Sequence, residues 1–454
     1  MSKDHRRFNQ LIPGVFTRKR SQVIHLLQHL LVLTAIGLLI GLACWPLGVV
    51  DRLQVSMADS LPSGPFSEWS GFGLLLILLP IPVMPLLLLL QRGPWKEGAG
   101  SGIPQTMSGL EDPSQLPSAL ATKGTIKRAV LWSIATLALF PLGREGPVVH
   151  VGAAIARAAH QRWQRWLPAM KEEQMVAIGG GAGLAGGFNT PLLGILFTIE
   201  ELTADYSVTV IWPALVIGVG AAGMSNLFGQ PMFSLGVFNV IVSEPELLLM
   251  ALPIGIAGGL VGGFFNRSLV WSTGRISQIV QDRPIAVGLI LGACLSLLSL
   301  GSWGMSTGDG EALLSQIIND GITTPDGELD QITQGGMYLW ITVVRVIGPI
   351  IALAPGVPGG LIDPSLAFGG VLGHSICALL GVSTHLGIGL GLAAGLAGAT
   401  QLPLVSMVFA WRMVGDQQLF AGVILAAVLA SYVGRLIARK PVYHALAELY
   451  KERL

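Results

Sequence analysis

One short stretch of the sequence, "PLGREGPVVH" at 141–150, combines residues that can bind and release small ions. Arg144 and Glu145 stand side by side and are followed at once by Gly146 and Pro147. Proline suits the first turn of a helix, and glycine permits unusual backbone angles and close approach. The stretch therefore predicts a helix N-terminus, whose free amides and partial positive charge can hold a small anion.

Two further stretches have the same design of glycines, a proline and an apolar helix-forming run. They are "GAGSGIPQ" at 98–105 and "GVPGGLIDPSLAFGG" at 356–370. Converging inside a membrane, three such N-termini would replace the hydration shell of an anion and still let it leave, because no buried cation holds it. Each stretch alone can also be a tight helix joint or a turn, but their recurrence favours the anion site.

Three glutamates are candidates for proton chemistry. An ionised carboxylate inside a membrane protein is costly without partners, so its presence points to function. Glu145 adjoins a helix start and can take the place of an anion until a proton removes its charge; the alternative is a salt bridge to a basic residue. Glu200 and Glu201 follow the apolar run "PLLGILFTI" and point about 100° apart on a helix, so they cannot share one role. Read alone, either one can be a solvated helix end.

The elements that must position these residues are membrane helices. Of 454 residues, 52% are hydrophobic and 12% charged, against roughly 25% charged in a soluble domain. Apolar segments near the roughly 20 residues needed to cross a bilayer recur along the chain. The composition predicts an all-α, multi-pass integral membrane protein.

Several classes of function are excluded by the same composition. The net charge of +1 comes without a long basic stripe, so no nucleic-acid partner is expected. Cys44, Cys294 and Cys377 stand singly in apolar runs and predict buried core residues. The acids lack an accompanying nucleophile and base or a metal cluster, so we expect no enzyme, no cofactor and no metal; an intramembrane enzyme is the alternative from another class.

The chain repeats itself. "GLAGGFNTPLLGILF" from Gly183 matches "GLAGATQLPLVSMVF" from Gly395, 212 residues later, and Pro147 with Gly152 aligns with Pro364 and Gly369 at a separation of 217. We expect two homologous halves, arranged as an inverted repeat with interrupted or re-entrant helices, as in many transporters. The expected segments are an N-terminal segment at 1–24, halves at 25–228 and 245–440, and a short tail without a regulatory domain at 441–454. Basic residues at both ends predict cytoplasmic termini, and the long first apolar run argues against a cleaved signal peptide.

The signature stretches resemble the CLC family of chloride channels and proton-coupled chloride transporters. The similar segments are "GSGIP" at 100–104, "GREGP" at 143–147, "GGLIDP" at 359–364 and "KPVY" at 440–443, in the order and approximate spacing of the family. The resemblance covers essentially the whole membrane region. It implies a CLC-type inverted repeat of tilted helices, and a homodimer in the plasma (inner) membrane of a prokaryote with one anion pathway per subunit.

The resemblance also implies the residues of the anion site. The Ser101 hydroxyl and the Tyr443 phenol would contact the ion, together with backbone amides at the starts of the signature helices. Serine at position 101 is similar to chloride-preferring members, whereas proline there goes with nitrate. The expected anion-binding residues are Ser101, Tyr443, Leu361, Ile362, Gly146 and Asp363.

The resemblance makes Glu145 the gating glutamate and Glu201 the inner glutamate that passes protons to and from the cytoplasm. Channels of the family usually lack an acid at the position of Glu201. The predicted function is therefore proton-coupled chloride antiport, and the alternative is a passive chloride channel in which Glu145 only gates. Glu200 is interpreted as a buried structural acid. His150 is interpreted as a hydrogen-bonded core residue.

Two residues depart from the family pattern. Ile362 stands where the family often has phenylalanine, so a looser inner constriction is expected. Asp363 precedes a proline at a helix start, a good position for an N-cap. We expect Asp363 to cap those amides; the alternative is that it modifies the affinity of the outer anion site.

Overall fold

The computed structural model describes residues 20–61, 69–227, 235, 240, 243–319, 323–324, 327–328 and 331–452. Most of the expected N-terminal segment, 1–24, lies outside these residues, as do the last two residues of the expected tail. Helices dominate the described chain, which confirms the all-α prediction. The one departure is a two-residue hairpin, β1 (Thr323–Thr324) with β2 (Gly327–Glu328), paired antiparallel.

The helices are numbered here in chain order. The helices before residue 230 are α1 (Arg20–Asp59), α2 (Gly71–Leu78), α3 (Pro80–Arg92), α4 (Ile103–Glu111), α5 (Leu116–Ala119), α6 (Thr122–Leu137), α7 (Glu145–Trp163), α8 (Glu172–Phe188), α9 (Pro191–Phe197) and α10 (Val208–Ser225). Single helical turns of other pitch lie at Lys96–Gly98, Pro113–Gln115, Gln164–Trp166 and Thr198–Leu202. The later helices are α11 (Glu244–Asp282), α12 (Pro284–Gly301), α13 (Glu311–Asn319), α14 (Gln331–Leu353), α15 (Ile362–Leu380), α16 (Thr384–Thr400), α17 (Pro403–Val414), α18 (Phe420–Ile437) and α19 (Val442–Lys451).

Eight helical stretches of the described chain are long and apolar enough to cross a bilayer. They are Val23–Asp59, Gly71–Arg92, Val208–Ser225, Glu244–Asp282, Pro284–Gly301, Gly335–Leu353, Ile362–Leu380 and Phe420–Lys451. Their outward faces carry exposed Leu, Ile, Val and Phe side chains. An apolar surface of this extent is compatible with lipid and not with water, so the chain is a multi-pass integral membrane protein.

Two of the helices, α4 and α9, are too short to span a bilayer. α4 has nine residues and α9 seven, so at 1.5 Å per residue neither reaches across a core of about 30 Å. In α15, 89% of the most apolar window is buried inside the protein, against 33–50% in the other seven candidate spans. Helix ends at membrane depth need such protein surroundings, because lipid offers their free amides no partner.

The internal repeat predicted from the sequence is present in the helices. α7 and α15 have 19 residues each, and α8 and α16 have 17 each. α8 and α16 also end alike, on Asn189 and Gln401 in the left-handed conformation. The expected bounds of the halves, 25–228 and 245–440, remain a prediction.

One backbone contact joins equivalent residues of the two halves. The Gly143 amide donates to the Gly360 carbonyl at 3.0 Å, and the Gly360 amide donates back to the Gly143 carbonyl at 2.7 Å. These two glycines occupy equivalent places in the repeat, and their pairing is antiparallel. Antiparallel pairing of equivalent residues is what a local two-fold axis between the halves produces, and an inverted repeat has such an axis.

Close packing of the matching helices depends on small residues. A Cβ on Gly152 of α7 would collide with the Gly179 carbonyl of α8, and one on Gly369 of α15 would collide with the Gly391 carbonyl of α16. Glycine lets these helix pairs approach backbone to backbone, as is common in membrane bundles. The same contact occurs in both halves, so the repeat is preserved in packing as well as in sequence.

Candidate functional site

The three predicted helix starts meet where the two halves touch. α4 begins after Ser101, α7 at Glu145 and α15 at Ile362. A side chain at Gly146 would collide with the backbone and hydroxyl oxygens of Ser101 and with the Gly359 carbonyl. The segments before α4, α7 and α15 are therefore packed against one another, as the sequence predicted for a shared anion site.

Glu145 is the first residue of α7 and is fully buried. Its carboxylate accepts a hydrogen bond from the backbone amide of Asp363, in the first turn of α15. The other carboxylate oxygen has no hydrogen-bond partner among the described residues. Glu145 thus places its charge at the N-terminus of a helix in the opposite half, where the amides and the helix dipole favour an anion.

The space for this carboxylate exists because residue 360 is glycine. A Cβ built on Gly360 would overlap the Glu145 carboxylate. The alternative considered for Glu145, a salt bridge to a basic residue, is not observed among the residues that the structure describes. The neighbouring Arg144 pairs instead with Asp51 of α1.

Ser101 and Tyr443 present buried hydroxyl groups. Neither hydroxyl has a hydrogen-bond partner among the described residues. Tyr443 is fully buried in α19, and its ring packs edge-on against Phe197 with the centroids 6.3 Å apart. A cavity of about 90 Å³ is lined by Ser101 together with Gly359 and Leu361. The Ser101 hydroxyl, a donor without a partner beside a cavity, is suited to an incoming anion.

The two departures from the family pattern have a structural outcome. Ile362 is the first residue of α15 and is fully buried. The expectation that Asp363 caps the helix is wrong, because the residue lies inside the first turn and its carboxylate makes no hydrogen bond to an amide of the helix. An N-cap must precede the helix to reach those amides. Its backbone amide binds Glu145 instead.

Arg144 is held by contacts that sequence reasoning did not identify. It is fully buried, pairs with the buried Asp51, and donates from Nε to the Gly187 carbonyl at 3.1 Å. Its guanidinium lies 4.2 Å from the centre of the Phe188 ring. Asp51 lies 93 residues earlier, and no local pattern joins the two.

One group of carboxylates in the described chain is close enough to hold a metal ion. Oxygens of Asp51, Asp309 and Glu311 lie within 4.8 Å of one another. Arg144 occupies one Asp51 oxygen, and its positive charge opposes a cation at this place. The three carboxylates are therefore better suited to balance the charge of Arg144 than to bind a metal ion.

Arg128 and His150 fix the loop that carries Ser101. Arg128 donates from Nη1 to His150 Nε2 at 2.6 Å and from Nε to the Gly100 carbonyl at 3.1 Å. His150 Nδ1 lies 3.3 Å from the Gly102 carbonyl. An arginine cannot accept a hydrogen bond, so Nε2 is the acceptor and the ring is neutral, with its proton on Nδ1. His150 is confirmed as a hydrogen-bonded core residue, whereas Arg128, an arginine in an apolar helix, was missed although that setting is itself a signal.

Glu200 and Glu201 have different surroundings. Glu200 accepts the amides of Leu404 at 3.0 Å and Val405 at 2.8 Å, at the start of α17. The interpretation of Glu200 as a structural acid is confirmed. Glu201 is 5% exposed, and its Oε1 has no hydrogen-bond partner among the described residues; His444 Nε2 lies 3.9 Å from this oxygen.

Comparison with known proteins gives concordant matches. The family model described as "Voltage gated chloride channel" matches residues 83–435. The H(+)/Cl(-) exchange transporter ClcA of Cronobacter sakazakii is 29% identical over 369 residues, which cover 77% of this chain and 74% of that protein. ClcA of Salmonella paratyphi B is 28% identical over 456 residues, covering 94% and 91%.

Solved structures share the fold. A slow cyanobacterial Cl-/H+ antiporter has a TM-score of 0.74 at 20% identity, covering 94% of this chain and 99% of that one. A CLC-type fluoride/proton antiporter has a TM-score of 0.71 at 22% identity, covering 92% and 97%. The inverted architecture of buried, interrupted helices is therefore common to this chain and to those proteins.

Proposed function

Because the chain belongs to the voltage-gated chloride channel (CLC) family, we propose that it is an antiporter that exchanges chloride for protons across the membrane. The relatives named H(+)/Cl(-) exchange transporters support this activity. The observation that carries the proposal is the buried Glu145 carboxylate on the amide of Asp363. A group that binds like an anion and can take up a proton links the two fluxes.

The proposed cycle is a competition for one set of helix amides. Ionised Glu145 occupies the start of α15 and excludes chloride. A proton on Glu145 removes its charge, so the amides and the helix dipole favour chloride instead. When the carboxylate returns to the site, its proton must leave. Acidification therefore raises chloride flux, because the protonated side chain no longer competes.

The proposed anion site combines hydroxyl and amide donors without a full positive charge. The Ser101 and Tyr443 hydroxyls have no partner among the described residues and are available to chloride. The amides assigned to the site are those of Leu361, Ile362, Gly146 and Asp363. Neutral donors bind an anion weakly enough for it to leave again, which transport requires.

Glu201 is the proposed proton carrier, in the turn that follows Phe197, whose ring packs against Tyr443. It is buried, and no lysine or arginine of the described residues pairs with it, so holding a proton relieves the cost of its charge. A buried acid of this kind can pass a proton inward from water to Glu145. Glu200 is excluded from this role because amides of α17 occupy both of its carboxylate oxygens.

The test uses purified protein in lipid vesicles under a chloride gradient, with chloride and proton electrodes. The parent protein is expected to drive protons uphill, and Glu201→Gln to abolish this while chloride flux continues. Glu200→Gln is the matched control, with the same chemical change one residue away. Chloride flux without uphill protons in the parent would contradict antiport and indicate a passive channel. Because a fluoride/proton antiporter shares the fold, the flux of fluoride is measured beside that of chloride.

The proposal includes the assembly and its orientation. We place the protein as a homodimer in the inner membrane of a prokaryote, with cytoplasmic termini, in line with its bacterial relatives and with the basic residues at both ends. Mass measurement in lipid nanodiscs tests the dimer. Labelling of cysteines introduced at exposed His25 and Glu448 from either side of the membrane tests the orientation.

A further inference from the structure

A partly exposed histidine, His444, lies beside the buried Glu201. Nε2 of His444 lies 3.9 Å from Oε1 of Glu201, and Nδ1 of the same ring lies 3.9 Å from Oε1 of Glu111. The His444 side chain is 43% exposed and that of Glu111 48%, whereas that of Glu201 is 2% exposed. The His444 ring therefore lies between the half-exposed Glu111 and the buried Glu201. Its Nδ1 faces Glu111 and its Nε2 faces Glu201.

The local structure holds this arrangement in place. α19 begins at Val442, and Tyr443 and His444 follow as neighbours that point about 100° apart. Tyr443 is thereby directed to the interior and His444 to Glu201. Lys451, two helical turns after His444 and so on the same face, binds the Glu111 carboxylate. That ion pair holds Glu111 beside the ring.

The charged groups around His444 can be named element by element. Glu111 faces it from α4, and Glu201 from the turn after α9. On α19 itself, Glu448 is paired with Lys440, and Lys451 with Glu111. From α11, the neighbours of this helix include Leu269 and Thr273, which carry no charge. Two acids therefore face the ring, and one is exposed while the other is buried.

We propose that His444 carries protons between water and Glu201. This inference rests on the proposed antiport. Imidazole accepts a proton on one nitrogen and releases one from the other within the physiological pH range. The two gaps of 3.9 Å exceed a hydrogen bond, so each transfer needs a small rotation of the ring or one bridging water. Nothing in the family signatures points to this residue; its role follows from the position of α19.

The experiment compares the parent with His444→Gln and His444→Ala in vesicles, recording both fluxes. His444→Gln is expected to lower proton flux about tenfold or more, as is usual for loss of a proton-transfer group, with chloride flux retained. In His444→Ala, added imidazole is expected to restore proton flux, which a purely structural role would not allow. His25→Gln, an exposed histidine on α1, is the control and should leave both fluxes unchanged.

The outcomes separate this inference from the antiport itself. Lost proton flux in His444→Gln with rescue of His444→Ala by imidazole supports the relay. Proton flux in His444→Gln equal to that of the parent, with the same pH dependence, overturns it while antiport stands. Loss of flux without imidazole rescue also overturns it and assigns His444 a structural role. A parent protein that moves no protons overturns the antiport and the relay together.

Discussion

Replacement of Asp51 by asparagine tests how Arg144, the residue next to the proposed gate Glu145, is held. Arg144 is 0% exposed, and among the described residues Asp51 is the acid bonded to its guanidinium. Asp51→Asn keeps the shape of the side chain and removes its charge. A buried guanidinium then remains without its ionic partner, so the folded state is expected to lose stability.

The size of the loss follows from the surroundings of Arg144. Breaking a buried ion pair on one side costs about 3–5 kcal/mol, because the remaining charge stays desolvated. The hydrogen bond to Gly187 and the contact with Phe188 are the same before and after the change. They therefore do not offset the lost free energy of unfolding. Asp309 and Asp363 also attract Arg144 electrostatically, which lowers the cost. We expect about 3 kcal/mol, or about 150-fold in the unfolding equilibrium constant.

The assay is equilibrium unfolding of the purified protein in mixed micelles, followed by circular dichroism. Glu448→Gln is the matched control, because Glu448 is paired with Lys440 at side-chain exposures of 53% and 61%. Such an exposed pair contributes less than about 1 kcal/mol. A double variant, Asp51→Asn with Arg144→Gln, should recover part of the loss. If Asp51→Asn costs no more than Glu448→Gln, the argument from burial is wrong.

Two further predictions concern the gate and its neighbours. Gly360→Ala places a methyl group on the Glu145 carboxylate and should abolish both uphill proton movement and the acid activation of chloride flux. Gly223→Ala is the control, because its Cβ meets open space, and it should change neither property. Intact coupling in Gly360→Ala would show that the carboxylate does not need this position. Glu200→Gln weakens the cap on α17 and should cost about 1 kcal/mol in the same unfolding assay, with the ratio of chloride to protons unchanged. If Glu200→Gln loses the coupling of protons to chloride, the proton carrier is Glu200 and not Glu201.

The helix starts could be predicted because their causes are local. Pro104 and Pro147 lie in the first turns of α4 and α7, where a proline lacks an amide that the helix would leave free in any case. The repeat could also be predicted, because several of the same residues recur at matching positions in both halves. The interpretation of Asp363 as a cap failed because it depended on the exact start of the helix, and α15 begins two residues earlier than a cap at 363 requires.

The sequence by itself determined that this chain is a membrane protein of two related halves, with glycine-proline helix starts and acids in an apolar setting. These properties depend on composition and on short-range backbone geometry. Only the tertiary structure decided which groups meet: Glu145 with an amide 218 residues away, Arg144 with Asp51, and His444 with Glu201. Burial fixes such partners, because a charged or polar group removed from water must be satisfied by whatever the packing of distant helices brings beside it.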